Sequence, residues 1–244
     1  MTISIIPSFS QPPLQTTSDV LPIIIDFNGA AGENGLPRPW LLRVNKGQAN
    51  LRVLRRRDEN ILYLRCENSS YSIEREVSAS LEEYPYVTWI WKAMKIPALG
   101  DARNKQRNDQ GLQILFAFEN GKIISYVWDA NAPEGTITDE SLGWPLKLSI
   151  KVVVVNSGTG RSGGWISNTR NIYLDYLNLY HEDPPRLKGL RIQANTQYTR
   201  DCSEGMIRDI TFSGKDTGNA SRKRYGSAPS NSTLMVQKKV KERE

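Results

Sequence analysis

Apolar side chains in this chain recur at every second position over short runs. Trp89 and Trp91 flank Ile90, Phe116 and Phe118 flank Ala117, and Tyr126 and Trp128 flank Val127. A period of two over a few residues marks strands with one buried face. Large rings on such strands pair well with cross-strand neighbours. The three segments therefore predict the core of a β-sandwich.

The same pattern extends along the chain. Ile23 to Phe27 is the first predicted strand, followed by a glycine-rich loop from Gly29 to Gly35. Leu41 to Val44, Leu51 to Leu54, Ile61 to Cys66, Tyr71 to Val77 and Tyr86 to Met94 follow as short strands. Leu112 to Phe118 and Lys122 to Trp128 predict a hairpin about Glu119-Asn120-Gly121, because Asn-Gly suits a tight turn. Leu146 to Val155 is the most β-branched stretch. Asn168 or Thr169 can cap a helix over about Arg170 to Tyr180, which Pro184 and Pro185 stop. Leu187 to Gln193 and Met206 to Phe212 complete the sheets. Many short strands and one helix predict an all-β, jelly-roll-like sandwich. Its expected limits are residues 22–213, between an extended arm at 1–21 and a basic tail at 214–244.

Charge changes the picture in one place. The net charge is +6 over 244 residues, but seven Lys/Arg against two Glu between Arg222 and Glu244 supply +5, leaving +1 for residues 1–221. The tail positions Arg222, Lys223, Arg224, Lys238, Lys239 and Lys241 are thus the candidate partner contacts. They suit other protein subunits or an anionic membrane surface. Nucleic acid is disfavoured, since Tyr225 is the one aromatic among them. No apolar run approaches the roughly 20 residues of a spanning helix. Met1 to Val20 lacks a basic start and an apolar stretch, and carries Pro7, Pro12 and Pro13. That predicts a cytoplasmic location, peripheral to a membrane at most, or a periplasmic one for a processed chain. Cys66 and Cys202, far apart and without a C-x-x-C pair, predict two isolated thiols.

Candidate chemistry is sparse. Gly158, Gly160 and Gly163 spell G-x-G-x-x-G, yet Trp165 and Ile166 follow where a phosphate-binding helix should open. A flexible hairpin loop accounts for them better. His181, the single histidine, lacks partners for a metal and is expected in a solvated loop. No metal, cofactor or catalytic constellation is expected. Trp128, Trp144, Trp165, Tyr173 and Tyr180 could offer rings to a sugar or partner, against core packing as the plainer account.

Trp89-Ile90-Trp91-Lys92, Ser125-Tyr126-Val127-Trp128, Ser157-Gly158, Trp165 and Arg170-Asn171-Ile172-Tyr173-Leu174-Asp175-Tyr176 together resemble a bacterial family. It is known as domain of unknown function 3047, and the resemblance spans about residues 22–213. It implies a jelly-roll-like sandwich similar to carbohydrate-binding folds, usually in exported proteins, with no established activity. Ala194 to Thr199 stands where the family has T-D-x-D-N-T, Asn108-Asp109 where it has paired acids, Gln113 where it has arginine, and Arg170-Asn171 for its Arg-Asp. The apolar framework is kept while charged positions become amides, which implies a scaffold kept for packing.

The leading expectation is a non-catalytic interaction protein, an accessory subunit docking on a larger assembly through its sandwich surface and tails. The alternative is a carbohydrate-binding module. It would use Trp128, Trp165 and Tyr173 as stacking platforms and Asp109 and Arg170 as polar clamps.

Overall fold

A computed structural model describes residues 20–57, 59–140 and 148–216. Trp144 lies outside the described residues, as do Arg222, Lys223, Arg224, Lys238, Lys239 and Lys241 of the expected tail.

The strands are β1 (Ile23–Ile25), β2 (Leu41–Lys46), β3 (Asn50–Arg55), β4 (Asn60–Glu67), β5 (Ser70–Ala79) and β6 (Tyr86–Lys95). There follow β7 (Leu112–Phe118), β8 (Lys122–Asp129), β9 (Ile137–Asp139), β10 (Ser149–Ser157) and β11 (Ile166–Asn171). Helix α1 (Ile172–Tyr180) precedes β12 (Leu187–Asn195) and β13 (Cys202–Ser213). One sheet runs β11-β6-β13-β4-β3, with β1 pairing β13 beside it. The other runs β2-β5-β12-β7-β8-β10-β9. This is the expected all-β, jelly-roll-like sandwich with one short helix. All pairings are antiparallel except β8 with β10, which is parallel. No helix among the described residues is long and apolar enough to cross a membrane.

The predicted aromatic segments meet face to face across the sandwich. Trp89 of β6 stacks on Tyr126 of β8 with centroids 5.2 Å apart, and Trp91 lies 6.1 Å from Trp128. Phe116 of β7 touches Tyr126 and Phe212 edge-on, each at 5.8 Å. All six rings named in the opening pattern are fully buried. The β7–β8 hairpin turns where Asn-Gly predicts, with Gly121 at φ 80, a conformation that glycine adopts without a steric penalty.

Buried ring edges need partners. Trp91 Nε1 donates to Asn156 Oδ1 at 2.7 Å, and Trp128 Nε1 to the Gly158 carbonyl at 3.0 Å. Trp89 Nε1 has no acceptor among the described residues. Its ring stacking therefore outweighs an unmet hydrogen bond that costs about 1–3 kcal/mol.

Two local expectations differ from the structure. Asn168 and Thr169 belong to β11; the helix is capped by Asn171, whose side chain accepts from Leu174 N at 3.0 Å. With Ile166 as its one apolar residue, β11 shows no alternation to read. The Gly158–Gly163 segment is not a hairpin loop, because β10 and β11 lie in different sheets. His181 is exposed as expected, and it ends the helix in the left-handed conformation (φ 57) with its N–H on the Leu177 carbonyl. The two thiols are free and buried. Cys202 stands opposite Glu67 and Ser203 opposite Cys66, so the thiols point to opposite faces of one sheet.

Two outcomes follow from this core. Asn156→Leu strands the Trp91 N–H, and chemical denaturation should show a loss of about 1–3 kcal/mol. Burial raises the phenol pKa of Tyr71, Tyr126, Tyr176 and Tyr180. Their raised folded values mean that the unfolded chain ionises first. Stability should hold below about pH 10 and fall above it. Urea midpoints measured across that range check the sign.

Candidate functional site

The sheets end side by side at β9 and β11, and a cleft of about 830 Å³ opens there. Four successive residues of β11, Ser167, Asn168, Thr169 and Arg170, line it. Val153 to Val155 of β10 and Ile137 of β9 give it apolar surface, while Glu134 and Asp216 add carboxylates. Among the described residues β11 pairs only with β6, and none of them claims its second backbone edge. Ser167 Oγ is buried with no hydrogen-bond partner among the described residues. Asn168 Nδ2 donates to Asn156 Oδ1 at 3.2 Å, which ties the cleft wall to the acceptor of Trp91.

Arg170 is held from behind. Its Nε and Nη2 donate to the two Asp175 oxygens at 2.8 and 2.5 Å, a bidentate fork. Tyr126 Oη donates to the same carboxylate, and the guanidinium carbon lies 5.8 Å from the Tyr126 ring. The Asp175 hydrogen bonds raise the Arg170 pKa, against the opposing effect of burial. A core ring thus fixes a cation on the rim. Glu134 in turn forms an ion pair with Arg161.

The expected ligand residues do not converge: two are fully buried, two lie outside the cleft lining and one borders it. Trp128 is 0% exposed, so it offers no face to a ligand. Its alternation with Tyr126 already assigned it to the core side. Trp165 is half-buried, with the Arg208 guanidinium 4.1 Å above its ring and Arg208 paired to Glu59. Tyr173 is half-buried outside the cleft lining, and its hydroxyl donates to Asp183 at 3.0 Å. Asp109 is fully buried and grips backbone instead of ligand. Only Arg170 reaches the cleft. Ser167, Asn168, Thr169, Glu134 and Asp216 escaped sequence reasoning. The alternating Ser and Thr of Ser167-Asn168-Thr169 were the one available hint of a polar strand.

Asp109 belongs to a second polar cluster, satisfied within the protein. Its carboxylate accepts from Thr199 N at 2.6 Å, Thr199 Oγ1 at 2.7 Å and Tyr198 N at 3.0 Å. Asn195 Nδ2 donates to it at 3.1 Å and to the Asn108 carbonyl at 2.7 Å. Gln113 Nε2 bridges Gln110 Oε1 at 2.5 Å and Asn195 Oδ1 at 2.6 Å. Asn108 Nδ2 reaches Glu140 Oε1 at 2.6 Å, and burial raises the Glu140 pKa. The loop closes so tightly that a Cβ on Gly100 would sit 2.2 Å from the Asp109 carbonyl oxygen. Sequence departures scattered over Asn108, Gln113 and Asn195 are therefore one buried amide network. Among the described residues, no group of three or more His, Cys, Asp or Glu is placed to hold a metal ion.

Comparison with known proteins gives a family. No curated protein matches the chain. The family 11 carbohydrate-binding module from Clostridium thermocellum, solved with a mixed-linked tetrasaccharide, is 9% identical with a TM-score of 0.39. That match covers 81% of this chain and 98% of the module. The family 30 carbohydrate-binding module of a cellulosomal cellulase from Clostridium thermocellum is 10% identical, TM-score 0.42, covering 80% of this chain and 99% of its own. The family 11 xylanase from Neocallimastix patriciarum is 10% identical, TM-score 0.38, covering 79% and 96%. The family model described as a protein of unknown function, DUF3047, matches residues 38–211, and this chain belongs to that family.

Proposed function

We propose that this protein is a non-catalytic binding module whose cleft between β9, β10 and β11 takes a neutral oligosaccharide. The observation that carries this reading is the cleft lining: the four successive polar residues Ser167, Asn168, Thr169 and Arg170 border it at the edge of β11, and Ser167 Oγ has no partner among the described residues. A polyhydroxylated ligand supplies donors and acceptors to match, and buried polar groups are otherwise paired. The cleft volume falls in the range of about 300–1,000 Å³ that small-ligand sites occupy. Arg170 and Glu134 are committed to ion pairs with Asp175 and Arg161, which favours a ligand without charge. The engagement of Glu134 by Arg161 also argues against its acting as a free acid on a glycosidic bond. Docking through the tails, the other expectation, rests on residues outside those described.

Binding in this reading is by hydrogen bonds, without ring stacking. Calorimetry against neutral gluco-, xylo- and manno-oligosaccharides should show weak, enthalpy-driven association, with no change in tryptophan fluorescence and no turnover of the sugar. Ser167→Ala removes an unpartnered hydroxyl, so it should leave stability unchanged and weaken binding about fivefold, by roughly 1 kcal/mol. Asp109→Ala should do the reverse, lowering the melting temperature while sparing affinity. No heat from any sugar in the panel would defeat the proposal, and hydrolysis of one would defeat its non-catalytic part.

A further inference from the structure

The side of the sandwich away from the cleft is built from the other two edge strands. β2 ends one sheet and β3 ends the other, and a short turn at Gly47 joins them. Between Arg38 and Arg57 the chain carries Arg38, Arg43, Lys46, Arg52, Arg55, Arg56 and Arg57, and no acidic residue. Residues 1–221 together total +1, so the remainder of that stretch carries −6. The excess of positive over negative charge thus falls on this stretch, with Asp58 and Glu59 directly after it.

Most of these cations have no carboxylate partner among the described residues; Lys46 Nζ donates to the Gln197 carbonyl at 3.4 Å. Only Arg43 has a carboxylate within 4.0 Å among the described residues, and that carboxylate, Glu74, is closer to Arg191 at 2.8 Å. Arg55 Nη2 donates to the Gly29 carbonyl at 3.2 Å, which holds the start of the Arg55-Arg56-Arg57 turn against the loop bearing Arg38. All three arginines of the turn are exposed. Apolar side chains stand among them: Leu41 is 57% and Val44 49% exposed on the same edge.

We infer that this β2–β3 side docks on an anionic lipid bilayer. Basic side chains meet the headgroup charge, and Leu41 and Val44 enter the interface between headgroups and acyl chains. Charge on edge strands also prevents sheet-to-sheet pairing. That purpose requires neither exposed leucine and valine nor three consecutive arginines in a turn. A nucleic acid fits less well, because the nearby rings are unavailable for base stacking. Trp40 is 6% exposed, and Tyr63 is 7% exposed beneath Arg52, 4.5 Å from its centroid. The inference is independent of the ligand assigned to the cleft.

Flotation of the full chain with vesicles tests it. The expected result is partition onto vesicles of equal parts phosphatidylcholine and phosphatidylglycerol, none onto phosphatidylcholine alone, and release at high salt. The triple variant Arg55→Glu, Arg56→Glu, Arg57→Glu should lower partition by roughly tenfold or more. Leu41→Ser with Val44→Ser should lower it without altering charge. A chain with Arg222, Lys223, Arg224, Lys238, Lys239 and Lys241 changed to Ala separates the tail, and should still bind. Unchanged partition of the triple variant, loss of all binding in the tail variant, or arginine-dependent binding to single-stranded DNA without vesicle binding would each overturn the inference. Circular dichroism of the turn variants confirms that the sandwich persists.

Discussion

The stacking of Trp89 on Tyr126 is the contact on which the rest of this sandwich depends. It joins β6 of one sheet to β8 of the other, and each ring leads on to a neighbour that sets something else. Tyr126 passes its hydroxyl to Asp175, so the core ring also fixes the helix and the rim arginine. Trp91, next on the same face of β6, passes its N–H to Asn156, which in turn holds Asn168 of the cleft wall. Packing and site geometry are thus one chain of contacts. Close-packed interiors transmit strain because they contain few voids.

How far the fold could be read in advance depended on burial. Leu112 to Phe118 coincides with β7, and Tyr86 to Met94 falls one residue short of β6, because those strands alternate cleanly between sheet faces. β11 went unseen because all six of its residues are half-buried and five are Ser, Asn, Thr or Arg. β9, only three residues long, left no pattern to find. The same burial logic explains the ligand residues. Trp128 was legible as core from its spacing alone. Asp109 was not, since what buries it is a loop some ninety residues further along the chain.

The amide network around Asn195 bears on how a family can change its polar residues without changing its shape. An amide keeps the planar outline of a carboxylate while removing its charge and adding two donors. Gln110, Gln113, Asn108 and Asn195 bond to one another, and the Asp109 carboxylate is held by backbone N–H groups, a hydroxyl and the Asn195 amide. A buried cluster in this state needs neither ion nor ligand to be stable, whereas a partly satisfied one would be costly.

The parallel pairing of β8 with β10 has a consequence for variability. Parallel neighbours cannot be joined by a tight turn, so the polypeptide leaving Asp129 must return to the sheet end where β8 began. That excursion contributes Glu134, Gly135 and Ile137 to the cleft before Ser149 rejoins the sheet. Lengthening or rewriting it alters the recognition surface while the aromatic interior stays as it is. Change in this connector therefore reshapes the cleft at a point remote from the stacked rings.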